Sequence, residues 1–537
     1  MVNQYLGEFI AYGKTFHYKT QLRNKRYTKD ETLKIYNKIY DLVAENLRNL
    51  SLRLREENYL DGNEDYSIIS MTFFSASVKD YMMDKMFNST LSFSEIYNKA
   101  INEFIKNPEQ NVLWGFASKD KKAFYMEQII DLKDRIVKQI NRLVLHHLIE
   151  NIDENIIIDV NHFEKEYLYN LPNNVVGFVC RNYDKHMLTR ELSYSYEIPI
   201  VATTNKVYKS NEVLIDGYKK RIYLDPNKII IDQALEMNQR LIFNPSEAPK
   251  YESKIIKFYA NIVDKRGIDL AKLSTWYSGV ASFRTEYMYI TKGCLPTKQE
   301  QIEMYTYLLE SFKDRLIHIR IPDFNDLKKL DYEKDLYTEI DYIRSFQRIY
   351  QDHISAIAEA SKITNKKITI VVPMIRIGNE IDRWKDLIDA YVDYSYKGDI
   401  RPNVGVMMET ESAFNYFEDY RHVDSVIFGL NDFLEESLEI SRYEKIDKED
   451  FMREAWHDLA WSHQYFRKAN IKLLHIVSGN VLKQKEILNK FIKKGFKHFA
   501  IPLSYIKIAE EVLYKHESTR GSHVGIYAKR QKDKLNK

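Results

Sequence analysis

From about residue 250 onward, short apolar runs alternate with stretches of helical spacing. The runs are Ile255–Ala260, Gly279–Phe283, Leu316–Ile319, Ile368–Val372, Val404–Met408, Ser425–Phe428, Lys472–Val477 and Lys497–Ile501. Short continuous apolar runs separated by helical patterns predict strands of a parallel sheet, buried on both faces. Eight such units in succession are the count and order of a (β/α)8 barrel. Earlier in the chain the pattern differs. Alternating Tyr5, Phe9, Ala11 and Gly13 suit a short strand pair. From about Thr28 to Leu148 the apolar positions take helical spacing: Leu33, Tyr36, Ile39, Tyr40, Leu42 and Val43 share one face. So do Ile130, Leu132, Ile136, Val137, Ile140, Leu143 and Val144, and the polar Ser118–Lys122 reads as a connection between two helices. Strand-like runs return at Ile156–Val160, Val175–Cys180, Ile198–Ala202 and Arg221–Tyr223, before an Asp225–Pro226 breaker.

The order predicts an α/β domain from residues 1–27 and 149–227, interrupted by a helical insertion over 28–148. A linker helix over 228–250 leads to the barrel at 251–522, and a basic, solvated tail follows at 523–537.

If the barrel closes, residues at the ends of its strands meet at one mouth. These are Arg284, Arg320, Arg376, Glu409, Asn431, Asp432 and Ser478. Val404–Met408 delivers Glu409, and Ser425–Phe428 delivers Asn431 and Asp432 past Gly429. Two strands each releasing a carboxylate at their C-terminal end present oxygen ligands to a hard cation such as Mg²⁺, which commonly takes one or two carboxylates plus substrate oxygens and water. Arginines converging there describe a site for a metal-bound, multiply charged anion. Arg442, ten residues past Asp432, is placed to face such an anion. The spacing is equally compatible with strand ends capped by ordinary polar residues.

Composition narrows the classes. Of 537 residues, 80 are Lys or Arg and 77 Asp or Glu, and a net charge of +3 marks neither a nucleic-acid binder nor a membrane-surface protein. Two cysteines, Cys180 and Cys294, cannot build a disulfide framework, and a reduced cytoplasm is the simplest expectation. The first residues lack a basic stretch followed by a long apolar one, so no signal peptide is expected, and no segment reaches the ~18 apolar residues of a membrane span.

GVMMETESA followed by FGLND and SR resembles the barrel domain of phosphoenolpyruvate-utilising enzymes. By layout the whole chain is most similar to enzyme I of the bacterial phosphoenolpyruvate:sugar phosphotransferase system. The resemblance implies a swivelling α/β phosphohistidine domain carrying the helical insertion, a linker helix, and a phosphoenolpyruvate-binding barrel that dimerises. GVASFRTEYMYITKGCLPTKQEQIEMY is similar to the signature around a substrate-binding arginine, here Arg284, and HIRIPDFNDLKKLDY to the next arginine segment, with Arg320. GVMMETESA would supply the first metal ligand, Glu409. GLND would supply Asn431 and the second ligand, Asp432, and the later substrate arginine falls on Arg442. VPMIRIGNEI, with Arg376, is closer to the pyruvate-phosphate dikinase branch. In such enzymes phosphoenolpyruvate and Mg²⁺ bind in the barrel. A histidine accepts the phosphoryl group, a cysteine protonates the enolate, and the helical insertion docks a small phosphocarrier protein.

Three positions depart from that pattern. In VVGFVCRNYDKHMLTRELSYSYEIPIV the family's histidine falls on Leu188, which cannot accept a phosphoryl group; His186, two residues earlier, is the speculative substitute. In HIVSGNVLKQ the protonating cysteine is replaced by Ser478, a far weaker acid than a thiol of pKa ~8.5. In TEIDYIR a substrate arginine falls on Asp341. The leading expectation is a phosphotransferase homologue that binds phosphoenolpyruvate or a related oxo-acid through Mg²⁺, with phosphotransfer impaired. A non-catalytic binding or regulatory module, or a barrel with altered enolate chemistry, are the alternatives.

Overall fold

A computed structural model describes residues 3–24, 27–57, 62–89, 91–106, 118–184, 186–204, 207–241, 253, 255–324, 328, 330, 346–395, 401–439, 441, 446–469, 473–502 and 505–519. They form two compact units. The first holds the described residues up to 231, those of 288–296 and residue 330; the second holds the described residues of 232–287 and 297–328 and those from 346 on.

The first unit joins a mixed sheet to a helical block. Its strands are β1 (Gln4–Leu6), β2 (Ile10–His17), β3 (Ile156–Asp159), β4 (His162–Phe163), β5 (Val175–Cys180), β6 (Asn182–Tyr183), β7 (Ile200–Ala202), β8 (Glu212–Asp216) and β9 (Arg221–Leu224). Seven of them form one sheet in the order β1-β7-β5-β3-β2-β8-β9, and β4 and β6 make a separate parallel pair. The expected pairing of the first two strands is corrected here. β1 runs antiparallel to β7, while β2 pairs with β3 and β8, so the edges of both strands are satisfied by segments far along the chain.

The helical block comprises helices Lys29–Glu57, Gly62–Phe74, Ala76–Asn88, Phe93–Lys106 and Lys119–Ile149. Ile39, Leu47, Ile101, Leu132, Ile136 and Ile140 are at its core. Leu33, Tyr40 and Ile130, expected on the buried faces, are exposed. The polar Ser118–Lys122 is also not a connection. Ser118 caps the last helix, its Oγ accepting from the Lys121 N–H at 3.3 Å, and the charged residues after it are its solvated first turn. The helix Lys228–Leu241 begins where the linker helix was expected; 242–250 and 520–537, with the basic tail, lie outside the described residues.

The second unit is a closed barrel of eight parallel strands: β10 (Lys257–Ile262), β11 (Tyr277–Arg284), β12 (Leu316–Arg320), β13 (Thr369–Val372), β14 (Asn403–Met408), β15 (Ser425–Gly429), β16 (Leu474–Ser478) and β17 (His498–Ala500). Its interior is filled by Tyr259, Ala281, Val371, Met407, Ile427, Ile476 and Ala500, so it is a packed core rather than a channel. Among the described residues no helix is long and apolar enough to cross a membrane, and neither cysteine is in a disulfide.

Candidate active site

Strand register decides which side chains share the C-terminal rim. Met408 pairs with Phe428, Gly429 with Ser478, and Ser478 with Ala500, so Glu409, Gly429 and Ser478 occupy one layer. On the other side of the rim Arg284 pairs with Arg320, the last residues of β11 and β12.

Glu409 is almost fully buried. Its Oε1 accepts from the Met374 N–H at 2.7 Å, and Met374 reaches that position in the left-handed region, at φ +54°. Holding a residue with a side chain there costs of the order of 1 kcal/mol or more, and such strain is concentrated at functional sites. Thr410 ties the same loop down: its hydroxyl donates to the Ile375 carbonyl at 3.2 Å and caps the helix Glu411–Asn415. The second oxygen of Glu409, Oε2, is buried without a hydrogen-bond partner. Burial, and then the charge of Asp432, push the Glu409 pKa up to about 8, while Arg320 pulls the other way. A buried carboxylate and a half-buried one therefore repel one another across the rim, the electrostatic situation that a divalent cation relieves. Gly429 makes the room, since a Cβ there would lie 2.6 Å from Glu409 Oε2.

Asp432 and Asn431 stand in the first turn of the helix Leu430–Leu438, and Asn431 Oδ1 accepts from the Asn480 N–H at 2.7 Å. Ser478 is half-buried, and its Oγ accepts from Asn261 Nδ2 at 3.2 Å. The fit to a cation is that of two carboxylates and an amide. Among the described residues no set of three or more His, Cys, Asp or Glu is arranged to hold a metal by itself.

The basic side of the rim is richer than the sequence indicated. Glu286 is fully buried between Arg320, whose Nη2 donates to its Oε1, and Lys328, whose Nζ lies 3.4 Å from the same oxygen. Arg284 Nε is 3.4 Å away and its guanidinium lies 4.8 Å from the Tyr287 ring centroid. Asp323 accepts from Lys328 at 3.1 Å. Burial opposes ionisation of Glu286, yet Arg320, Lys328 and Arg284 more than offset it and hold its carboxyl below the ordinary range. Asp323 follows the same logic, with Lys328 and Arg320 outweighing its burial. Arg320 Nη1 also points at the Met407 sulfur, 3.6 Å away, which anchors the guanidinium over the barrel core. The result is three fixed cations held by two internal anions, beside the Glu409–Asp432 pair. Glu286, Asp323 and Lys328 went unnoticed in the sequence; their signals were only the acid two places after Arg284 and the acid three places after Arg320.

Arg376 is exposed, four residues past β13. Arg442, Asp341 and the side chain of His186 lie outside the described residues. Leu188 is buried in the helix His186–Tyr196 of the first unit and lines a cavity there.

Residues 239–513 match the family of PEP-utilising enzymes through its PEP-binding domain. The chain is 26% identical over 340 residues to a phosphoenolpyruvate-protein phosphotransferase of Haemophilus influenzae, covering 58% of each chain. To that of Mycoplasma genitalium it is 26% identical over 375 residues, covering 65% of this chain and 64% of the relative. To that of Buchnera aphidicola subsp. Schizaphis graminum it is 23% identical over 478 residues, covering 82% and 81%. In the first two cases the match thus spans less than two thirds of the relative's length.

Proposed function

The chain belongs to the family of PEP-utilising enzymes, and from that premise we propose that its barrel binds phosphoenolpyruvate or a related oxo-acid anion together with Mg²⁺. The observation that supports this most is Glu409: a buried carboxylate with one unpartnered oxygen, next to Asp432 and facing Arg320. Glu409 and Asp432 would hold the ion, with Asn431 beside them. When bound, the ion supplies Lewis-acid stabilisation of negative charge on the ligand's oxygens.

The chain's own residues do the rest. Arg284, Arg320 and Lys328 present charge-assisted donors to the phosphate and carboxylate of the anion, and Glu286 and Asp323 keep those cations oriented before it arrives. Arg376 and Arg442 are further candidates for the same anion. Preorganised donors of this kind stabilise charge without rearranging at the moment of reaction.

Phosphotransfer to protein is impaired in this reading. Leu188 offers hydrocarbon where the family resemblance calls for the accepting imidazole. Ser478, with its hydroxyl accepting from Asn261, is too weak an acid to replace a thiol as proton donor to an enolate. A small phosphocarrier protein would dock on the helical block, where the exposed Tyr40 and Phe74 rings lie 4.9 Å apart. The same two replacements favour the second reading, a binding module without turnover.

Incubation with ³²P-labelled phosphoenolpyruvate and Mg²⁺, alongside equilibrium dialysis, separates these readings. The expected result is specific binding with no acid-labile label on the protein. Label that disappears in His186→Ala would establish a relocated acceptor, and an absence of binding would leave only the module.

A further inference from the structure

The first unit holds a cavity of about 410 Å³ that takes no part in the barrel rim. The helix Lys119–Ile149 contributes Asp131, Asp134, Arg135 and Lys138 to its wall, and the helix His186–Tyr196 contributes Leu188 and Leu192. Most of the charges that line it are answered locally. Arg135 pairs with Asp131 at 2.9 Å, Lys133 with Asp134 at 3.3 Å, and Lys138 with Asp184 at 3.1 Å.

Glu166 is the exception. It is 3% exposed, it lines the cavity, and its Oε2 has no hydrogen-bond partner. Its charge helps keep the Lys138 ammonium ionised against burial, but the Lys138 hydrogen bond goes to Asp184. A carboxylate oxygen buried without a donor is unfavourable unless something else supplies one. Beside it the wall turns apolar, with Phe163, Leu188 and Leu192 all buried. Lys133 answers Asp134, and both Lys138 and His162 reach Asp184, so among the lining carboxylates it is Glu166 that keeps a buried oxygen without a donor.

We propose that this cavity binds a small primary amine with an apolar body. Its ammonium donates to Glu166 Oε2, and its hydrocarbon part lies on Phe163, Leu188 and Leu192. The volume is within the ~300–1,000 Å³ of small-molecule sites. Water would satisfy the orphan oxygen but would leave the apolar wall unmatched. A charge-assisted donor is the stronger partner for a buried carboxylate.

The test uses the full chain and two probes of equal shape, benzylamine hydrochloride and benzyl alcohol, titrated by ligand-observed NMR. Benzylamine should bind at least tenfold more tightly than the alcohol. Glu166→Gln should abolish that preference, and Leu188→Trp, which fills the apolar end, should abolish binding of both. Equal affinity of the two probes for the wild type overturns the proposal, whether or not either variant folds. So does a folded Glu166→Gln that keeps the preference, since the amine would then be bound elsewhere, for instance at Glu409 and Asp432.

Discussion

Replacing Glu286 by Gln removes one charge from the buried rim and changes almost no volume. In the wild type, Arg320 at 4% and Lys328 at 2% exposure share the Glu286 Oε1 atom, and Asp323 alone would remain to answer them. Taking away one partner of a buried, hydrogen-bonded ion pair costs about 3–5 kcal/mol. Asp323 stays in place, and the amide oxygen still accepts, so the lower end applies. At about 2–4 °C per kcal/mol for a unit of this size, Glu286→Gln should melt roughly 6–12 °C below the wild type. The same change leaves three cations facing one anion, so an anionic ligand gains more by binding. Phosphoenolpyruvate with Mg²⁺ should therefore raise the melting temperature of Glu286→Gln by more than it raises that of the wild type. Differential scanning calorimetry with and without ligand measures both effects. A variant that melts within about 2 °C of the wild type, or equal ligand-induced shifts in the two proteins, would refute the view that Glu286 is the internal counter-ion of the rim.

Gly429→Ala should damage the metal side without touching a charge. The new Cβ would fall 2.6 Å from Glu409 Oε2 and 2.7 Å from its Cβ, so overpacking of about 1–3 kcal/mol and at least a tenfold loss of ligand affinity are expected, read by urea unfolding and calorimetry. Unchanged affinity would mean that Glu409 does not contact the bound species. Acid should weaken the barrel unit well above the carboxylate range. Burial above all lowers the pKa of His318 and His475 to about 4 and that of His353 and His463 to about 3. Above pH ~6.5 these imidazoles are neutral whether folded or not. As pH falls from there toward about 4, the unfolded chain takes up protons that the folded one refuses, so stability declines, by up to about 2 kcal/mol per histidine at pH 5. A urea midpoint for the barrel that is the same at pH 7 and pH 5 would contradict this.

The barrel was legible because its eight strands are apolar on both faces and short, a pattern that few other folds impose. The position of Glu409 at the rim was legible for the related reason that a residue directly after a buried strand must emerge there, and Asp432 follows three residues past the end of β15. Glu286, Asp323 and Lys328 were not, because two of them follow an arginine in loops and helix starts where acids and bases are ordinary surface residues; only burial makes them a cluster. The partners of β1 and β2 were hidden for a different reason. Tyr5 aligns with Val201 and Tyr12 with Leu214, pairings about 200 residues apart that no local pattern encodes. Ser118–Lys122 misled because a capped first turn and a loop share the same polar composition. Glu166 gave no signal at all, since the isolation of its oxygen depends on how its segment packs against the helices Lys119–Ile149 and His186–Tyr196, which no local pattern encodes.

The central claim is that Glu409 and Asp432 together grip a divalent ion that loads the anion onto Arg284, Arg320 and Lys328. Calorimetric titration of phosphoenolpyruvate into wild type and Glu409→Gln, each with and without Mg²⁺, tests it most directly. Saturable binding only in the wild type with Mg²⁺ is the predicted result. Binding of equal strength without the ion, or in Glu409→Gln, would contradict it.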